Sequence, residues 1–455
     1  MPASQIKLAL LMQCAAGLHP GSWLHNGATQ GAATSIEYYT AMAQLAERGL
    51  FDLFFIADTP AARSENLEAW SRYPLFMNSF EPLTLLAALA GSTRHIGLGG
   101  TASTSFTEPY NLARQFASLD HISHGRAAWN VVTSANAYVA LNFGLDALPP
   151  HPERYERARE HVAVTRALWD TYEDGAIEED AGTGQYFDPA KFHVLDHRGK
   201  HFRLHGALNI ARPPQGYPVT IQAGASDIGR DFAAEIAELV FGTATDLAEG
   251  IAFYADVKGR MAKFGRDPGE MKILPGLSIV VGRTRDEARR KHEAMQALMH
   301  PTVGRFFLSN DLEVDLSGLP LDEPIPPHLI PTEARFHKAY FDQIVAVIRE
   351  RNPTLRELYM SYERGKSTML GSPSDIADTM QEWMEAGAAD GFMVTFNQLP
   401  GDMAAFVELV VPELQRRGLY RKSYEPGHLR DRLGLRRPPN RHARPALSGG
   451  AKPLP

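Results

Sequence analysis

The sequence has almost no cysteine. Cys14 is the only one in 455 residues, so the chain builds neither an internal disulfide nor a cysteine-cluster metal site. A reducing, cytoplasmic compartment suits such a chain. Long hydrophobic runs are missing too. The most apolar stretches, 8–12 and 83–90, fall far short of the roughly 18 residues of a membrane span. Lys7 followed by Leu8-Ala9-Leu10-Leu11-Met12 imitates a secretory leader, but the run stops at Gln13. That is shorter than the usual apolar region of roughly 7–15 residues, and a buried first strand accounts for it. Basic charge is not in excess. Lys plus Arg is 46 against 53 Asp plus Glu, a net charge of −7, so no global field exists to hold nucleic acid. Neither H-x-H nor H-E-x-x-H spacing occurs, so no metal site is expected.

What is present is a regular alternation. Short β-branched or Leu/Phe-rich runs fall at 6–12, 50–57, 95–103, 127–132, 219–222, 239–242, 273–281 and 391–396. Amphipathic stretches follow them at 35–48, 81–91, 109–119, 152–169, 227–238, 247–264, 285–299 and 402–417. Eight strands, each followed by a helix, predict a parallel (β/α)8 TIM barrel, an α/β fold. Such a barrel needs only about 250 residues. The surplus lies in an insertion at 172–215, rich in Gly, Asp and His, and another at 301–371, with a Pro-rich stretch at 319–331 and two helical runs. Long insertions tend to be lids or binding loops, and both are expected to close over the barrel mouth. The chain then divides into a barrel domain, 1–424, and an Arg/Pro-rich tail, 425–455. The tail carries Arg430, Arg432, Arg436, Arg437, Arg441 and Arg444. It is expected to clasp its own barrel or a neighbouring subunit rather than an anionic partner.

Barrel active sites lie at the C-terminal ends of the strands. Those ends hold Cys14, Asp58, Ser103, Thr104, Asn130, Gly224, Ala225, Ser226, Thr395 and Asn397. Small and hydroxyl residues dominate, and the facing carboxylates of a glycosidase are absent. Neutral polar groups of this kind suit a bound organic cofactor. The run GASDIGR, 224–230, follows a strand and opens a helix. Its N–H groups favour an anion such as phosphate, although Ser226 serves equally as an N-cap. His151 and Tyr155 share a helix face; they read either as anion contacts or as a capping His and a core Tyr. Asp58 ends an all-apolar strand, where a carboxylate needs a partner. That partner is a ligand or the backbone.

Several runs in this order resemble the family of nitrilotriacetate monooxygenase, dibenzothiophene-sulfone monooxygenase and pristinamycin synthase, within the bacterial-luciferase-like FMN-dependent monooxygenases. They are FDLFFIAD (51–58), EPLTLLAALA (81–90), IGLGGTASTSFTEPYNLARQFASLDHISHGRAAWNVVTSAN (96–136), HPERYERA (151–158), and GKHFRLHGALNIARPPQGYPVTIQAGASDIGRDFAAEIAELVF (199–241). DLSGLPLDEPIP (315–326) and GSPSDIADTM (371–380) extend the likeness, which runs to about Tyr424. The resemblance implies a two-component monooxygenase. It would take reduced FMN from a separate NAD(P)H:FMN oxidoreductase and, through a flavin peroxide, use O2 to oxygenate a small organic substrate. It implies flavin contacts at Asp58, Ser103 or Thr104, Asn130, His151, Tyr155, Ala225 and Ser226, with phosphate at Ser226 and Tyr155. It also implies a homodimer or homotetramer.

No side chain need be a nucleophile; His19, His25 and Cys14 are the candidates for a catalytic role. One departure stands out. Relatives often carry a Gly/Ala-Trp-Arg element after the first strand, where this chain reads Ser22-Trp23-Leu24-His25, so no named substrate carries over. Aminopolycarboxylates, aryl sulfones, alkanes and cyclic amines all occur among relatives. An acidic substrate would want Arg63 or Arg72, though both read as solvated loop charges. The rival readings are a deazaflavin-dependent oxidoreductase of the same superfamily and a catalytically silent flavin-binding protein.

Overall fold

Alternation along each strand sorts its side chains into two cores. In β1 (Lys7–Met12) and β2 (Leu53–Ile56), Leu8, Leu10, Phe54 and Ile56 face the surrounding helices, whereas Ala9, Leu53 and Phe55 face inward. This is the period-two pattern of a strand buried on both sides. The other barrel strands are β3 (Gly97–Ser103), β4 (Ala127–Val132), β5 (Val219–Gln222), β6 (Leu239–Gly242), β7 (Lys272–Val281) and β8 (Gly391–Phe396). All pair in parallel in chain order, and β8 returns to β1 with Leu8 opposite Phe392. The sheet therefore closes into the predicted eight-stranded barrel. The structure, a computed structural model, describes residues 5–242, 244–334, 338–363 and 368–443. Among the described residues no helix is long and apolar enough to cross a membrane.

The helices are α1 (Ile36–Arg48), α2 (Pro82–Ala90), α3 (Pro109–Ile122), α4 (His151–Trp169), α5 (Asp227–Ile236), α6 (Leu247–Arg260), α7 (Arg285–Gln296) and α8 (Pro373–Glu385), followed by a helical run over 401–416. Side-chain caps fix several of their starts: Ser35, Glu81 ahead of Pro82, Asp246, Thr284, and Ser372 in a capping box with Asp375. Helix α6 ends earlier than its apolar pattern predicts. Its last turn tightens into the 3-10 helix Met261–Phe264 and stops at Gly265, which is left-handed at φ 64°.

The insertion at 172–215 does not cover the mouth. It forms two antiparallel hairpins, Ile177–Asp180 with Gln185–Phe187 and Leu195–Arg198 with Arg203–Gly206. They lie along the outer side of α3 and α4. Glu160 accepts the N–H groups of His201 and Phe202, each at 2.9 Å. The Arg157 guanidinium sits 4.3 Å above the Phe202 ring, and His121 Nε2 lies 3.1 Å from the Ala211 carbonyl. The Gly and Asp content that reads as a mobile lid instead supplies hairpin turns.

The second insertion does stand over the C-terminal rim. It contains helices Pro301–Leu312, Lys338–Arg351 and Leu355–Ser361. Its strand Thr368–Gly371 adds to the upper half of β7, Ser278 opposite Thr368. Val303, Leu308, Leu312, Phe341, Ile344 and Leu358 form a separate core with Trp70 and Tyr73 from the loop after β2.

The far end of the barrel is closed by the chain beyond the last helix. Leu429, Leu433 and Leu435 enter the inner core beside Leu53, Phe55 and Met393. Arg430, 1 % exposed, pairs with Glu238, and Arg421 pairs with Asp52. Tail residues up to 443 thus clasp their own barrel; Arg444 lies outside the described residues.

Candidate functional site

At the mouth, three connected lobes run across the barrel axis. The first, about 330 Å³, is lined by Asp58, Thr101, Ser103, Ser134, Tyr155, Gln222 and Gly224 among others. The central lobe, about 480 Å³, lies on the axis between Phe55, Asn130, Phe241, Met393 and Thr395, and shares Asp58, Thr101 and Val132 with the first. The third, about 270 Å³, lies beneath the second insertion. It includes His19, Arg63, Trp70, Tyr73, Gln296 and Tyr362, and joins the central lobe at Gln13 and Leu18.

Strand alternation delivers the polar lining. On β3, Thr101 and Ser103 face the cavities; on β4, Asn130 does. Thr101 Oγ1 donates to the Ile56 carbonyl at 3.1 Å and accepts from Asn130 Nδ2 at 3.0 Å. Asn130 is 5 % exposed, and its Oδ1 is buried with no partner. An orphaned acceptor of this kind calls for a ligand N–H or O–H. Ser103 Oγ lies 2.7 Å from Ser134 Oγ. Thr104 is different: its hydroxyl donates to the Val132 carbonyl at 3.1 Å and lines none of these lobes.

Asp58 follows β2 where the first and central lobes meet. Burial, reinforced by the charge of Glu81, pushes its carboxyl up to about 6. It is therefore poised to hold or release a proton near neutrality.

The turn from β5 into α5 is built close. A Cβ on Gly224 would come within 2.8 Å of Gln222 Nε2, and one on Gly229 within 2.9 Å of the Tyr155 hydroxyl. Tyr155 is 5 % exposed and leans edge-on against Phe232. Its hydroxyl thus stands at the first turn of α5, where the leading N–H groups have no partner in the helix. Ser226 accepts from Gly229 N–H at 3.1 Å as the N-cap, which leaves its O–H free to donate. Ala225, Ser226 and His151 are exposed and line none of the three lobes, but the His151 ring lies 5.0 Å from that of Tyr155. Nearby arginines are already engaged. Arg154 binds the Thr133 and Ser134 carbonyls, Arg157 that of Thr104, and Arg230 pairs with Asp227 and Asp256.

The three catalytic candidates separate. His19 lines the third lobe, 6 % exposed; its Nδ1 accepts from Gly21 N–H at 3.0 Å, and its Nε2 lies 3.0 Å from Gln296 Oε1. His25 sits in an exposed turn away from the lobes, its Nδ1 accepting from Gly27 N–H. Cys14 is free, and burial pushes its thiol up, away from the reactive thiolate. Arg63 is not the solvated charge that its loop position implies: it lines the third lobe, 4.2 Å above the Trp70 ring. Arg72 is engaged with the Glu68 carbonyl outside the lobes. Thr101, Gln222 and Trp70 are lining residues that the sequence reading passed over. The period-two pattern of β3 and β5 signals the first two; no local pattern marks Trp70.

These residues fit FMN. The close turn with Tyr155 and the α5 N–H groups matches a phosphate, and the central lobe with its orphaned acceptor matches a flat heterocycle. Residues 20–390 match the family described as luciferase-like monooxygenase. The chain is 45 % identical over 451 residues to nitrilotriacetate monooxygenase component A of Aminobacter aminovorans, covering 97 % of this chain and 99 % of that one. It is 42 % identical to N-acetyl-S-(2-succino)cysteine monooxygenase of Bacillus subtilis (strain 168), again over 97 % and 99 %. A crystal structure of riboflavin lyase with modified FMN and riboflavin superposes with a TM-score of 0.80 at 29 % identity, over 95 % of this chain and 96 % of that one.

Proposed function

This chain belongs to the luciferase-like monooxygenase family, and from that membership we propose that it is the oxygenase half of a two-component system. It takes reduced FMN from a separate NAD(P)H:FMN oxidoreductase and oxygenates a small organic substrate with O2. A homodimer or homotetramer in the cytoplasm, where reduced nicotinamide is at hand, is part of the same proposal. The observation that carries it is the buried, partnerless Asn130 Oδ1 on the axial lobe, which at Asp58 and Thr101 adjoins the lobe lined by Tyr155 and Gly224.

Ser226, Tyr155 and the first N–H groups of α5 hold the phosphate. Ser103, Asn130 and Asp58 line the ring, Asn130 as acceptor and Asp58 as the group that holds or gives up a proton. Reduced FMN supplies the electrons that activate O2, of which one atom enters the substrate and the other leaves as water. The described residues of 301–334 and 338–363 lie above the third lobe and keep water from the mouth. His19 has both ring nitrogens engaged and serves to shape the substrate lobe.

The test is anaerobic titration of the purified chain, followed by O2 uptake with a flavin reductase. FMN binds more tightly than riboflavin, by about 10–100-fold for charge-assisted phosphate hydrogen bonds, and reduced FMN more tightly than oxidised. Equal affinity for FMN and riboflavin removes the phosphate assignment. A panel of nitrilotriacetate, N-acetyl-S-(2-succino)cysteine, aryl sulfones, alkanes and cyclic amines then reads substrate-dependent O2 uptake. Hydride transfer without O2 uptake would point to deazaflavin chemistry, and flavin retention without turnover to a silent binder.

A further inference from the structure

The third lobe holds two buried N–H donors with nothing to accept from them. Arg63 Nε is one, and Nε1 of Trp70, a residue 3 % exposed, is the other. The Arg63 guanidinium lies 4.2 Å over the Trp70 ring and 5.3 Å from the centre of the Tyr138 ring. Two aromatic faces therefore hold a planar cation in place. Its nearest ion-pair partner, Glu65, is 3.8 Å away on a side chain half open to solvent. Glu363 is the one carboxylate among the described lining residues. It is already engaged by His292 at 3.2 Å, the Thr368 N–H at 3.2 Å and the Gln296 amide at 3.4 Å. The lobe's one carboxylate is thus engaged elsewhere, while two of its buried donors, one of them on a cation, have no acceptor.

We propose that this lobe binds a carboxylate of the substrate and that Arg63, with Trp70, selects for it. The proposal rests on the oxygenase reading above and narrows its substrate to organic acids. Unmet buried donors cost stability until an acceptor arrives. When one of them belongs to a guanidinium, the matching acceptor is anionic and planar, because the edge of the group presents two parallel N–H bonds. A neutral alkane or sulfone leaves the cation unpaired. Gln13 and Leu18 line both this lobe and the central one, so a molecule anchored here by its carboxylate extends its remaining atoms to the barrel axis.

The experiment is calorimetric titration of the full-length, flavin-free chain in metal-free buffer. The probes are nitrilotriacetate and its triamide, which has the same shape without charge. The acid binds about 10–100-fold more tightly than the amide, the range for charge-assisted hydrogen bonds. Arg63→Gln abolishes that preference while Arg63→Lys, which keeps the charge but loses the fork, retains part of it. Trp70→Phe lowers affinity for the acid by about 2–10-fold, for one neutral donor, and serves as the second probe if Arg63→Gln does not fold. A structural role for Arg63 would weaken acid and amide alike. Failure of the acid to bind, equal binding of acid and amide, or a preference that survives Arg63→Gln each overturns the proposal. Acid binding without O2-dependent oxygenation counts against the oxygenase reading alone; oxygenation of a neutral sulfone by a chain that does not bind the acid counts against this proposal alone.

Discussion

The two ends of the barrel are made of similar residue types and treat them in opposite ways. At the N-terminal end the buried charges meet partners. Arg430 pairs with Glu238, Arg421 with Asp52, and Arg212 with Asp170. Arg126 donates to four backbone carbonyls and to Thr93 Oγ1. The Nε atoms of Arg166, Arg421, Arg430 and Arg432 there lack a partner, but the Nη atoms of Arg421 and Arg430 are bound to carboxylates and those of Arg166 and Arg432 to backbone carbonyls. At the C-terminal end, Asn130 Oδ1, Arg63 Nε and Trp70 Nε1 have none, and Asp58 is raised by burial without a close cation. The closed end binds its buried charges within the chain, and the open end leaves polar groups of its cavities unmet. Structure and function thus occupy opposite faces of one barrel.

The largest effect that sharpens this contrast is at Arg430. Arg430→Ala removes the ion-pair partner of buried Glu238, whose carboxyl the guanidinium holds low against its burial, and leaves it the Thr220 N–H and the Arg166 charge alone. Breaking such a pair costs about 3–5 kcal/mol. A denaturant midpoint reads the loss, and specific activity of the remaining folded protein stays at the wild-type value. A variant that keeps its stability but loses turnover would break the division between the ends.

Asp58→Asn reads the opposite face. The folded Asp58 carboxyl sits at about 6, above its ordinary 3.8, so the folded state binds more protons between those values. Its ionisation therefore opposes folding, and stability falls as pH rises through that window. Asparagine removes that cost. The variant is more stable at pH 7 by about 1–2 kcal/mol, allowing for partial exposure, and the gain fades toward pH 4. Flavin-dependent turnover falls by about tenfold or more as a proton-holding group is lost. Melting curves at pH 4 and pH 7, with O2 uptake, test both halves. Loss of stability with unchanged turnover would make Asp58 a structural residue.

Much of the barrel is legible because each of its signals is local. Short β-branched or Leu/Phe-rich runs give the eight strands within three residues at each end, and caps such as Ser35 and Ser226 give helix starts. The strand-end rule likewise locates Asp58, Ser103 and Asn130, and the helix spacing from His151 locates Tyr155; all four line the cavities. Length and polarity suggest a lid wherever they occur, and at 172–215 they belong to hairpins instead. Connectivity carried the better signal: the segment follows α4 and precedes β5, which puts its ends at the closed face. Arg63 was misjudged for a different reason. Its surroundings, Trp70 and Tyr138, come from two separate short helices, Leu67–Trp70 and Ala137–Asn142, and no periodicity links residues of different elements.

The smallest effect tests whether the closed end owes its stability to burial or merely to the number of its ion pairs. Arg437 binds Asp174 through both Nη atoms, at 2.7 and 2.6 Å, but its side chain is 38 % exposed and that of Asp174 51 %. Arg212, 2 % exposed, holds the same carboxylate at 2.9 Å. Water and Arg212 together compensate Asp174 when Arg437 is removed, so Arg437→Ala costs less than about 1 kcal/mol. Arg437 is the first of the groups that lower the Asp174 carboxyl. A lowered carboxyl stabilises the fold above its unfolded value and loses that contribution as pH falls through the folded one. The difference between wild type and Arg437→Ala is therefore present at pH 7, shrinks below about pH 4, and is reduced by salt. Denaturant midpoints at two pH values and two salt concentrations measure it. A cost as large as that of Arg430→Ala would show that exposed pairs hold the tail as firmly as buried ones, and the closed end would then be stabilised by charge number rather than by burial.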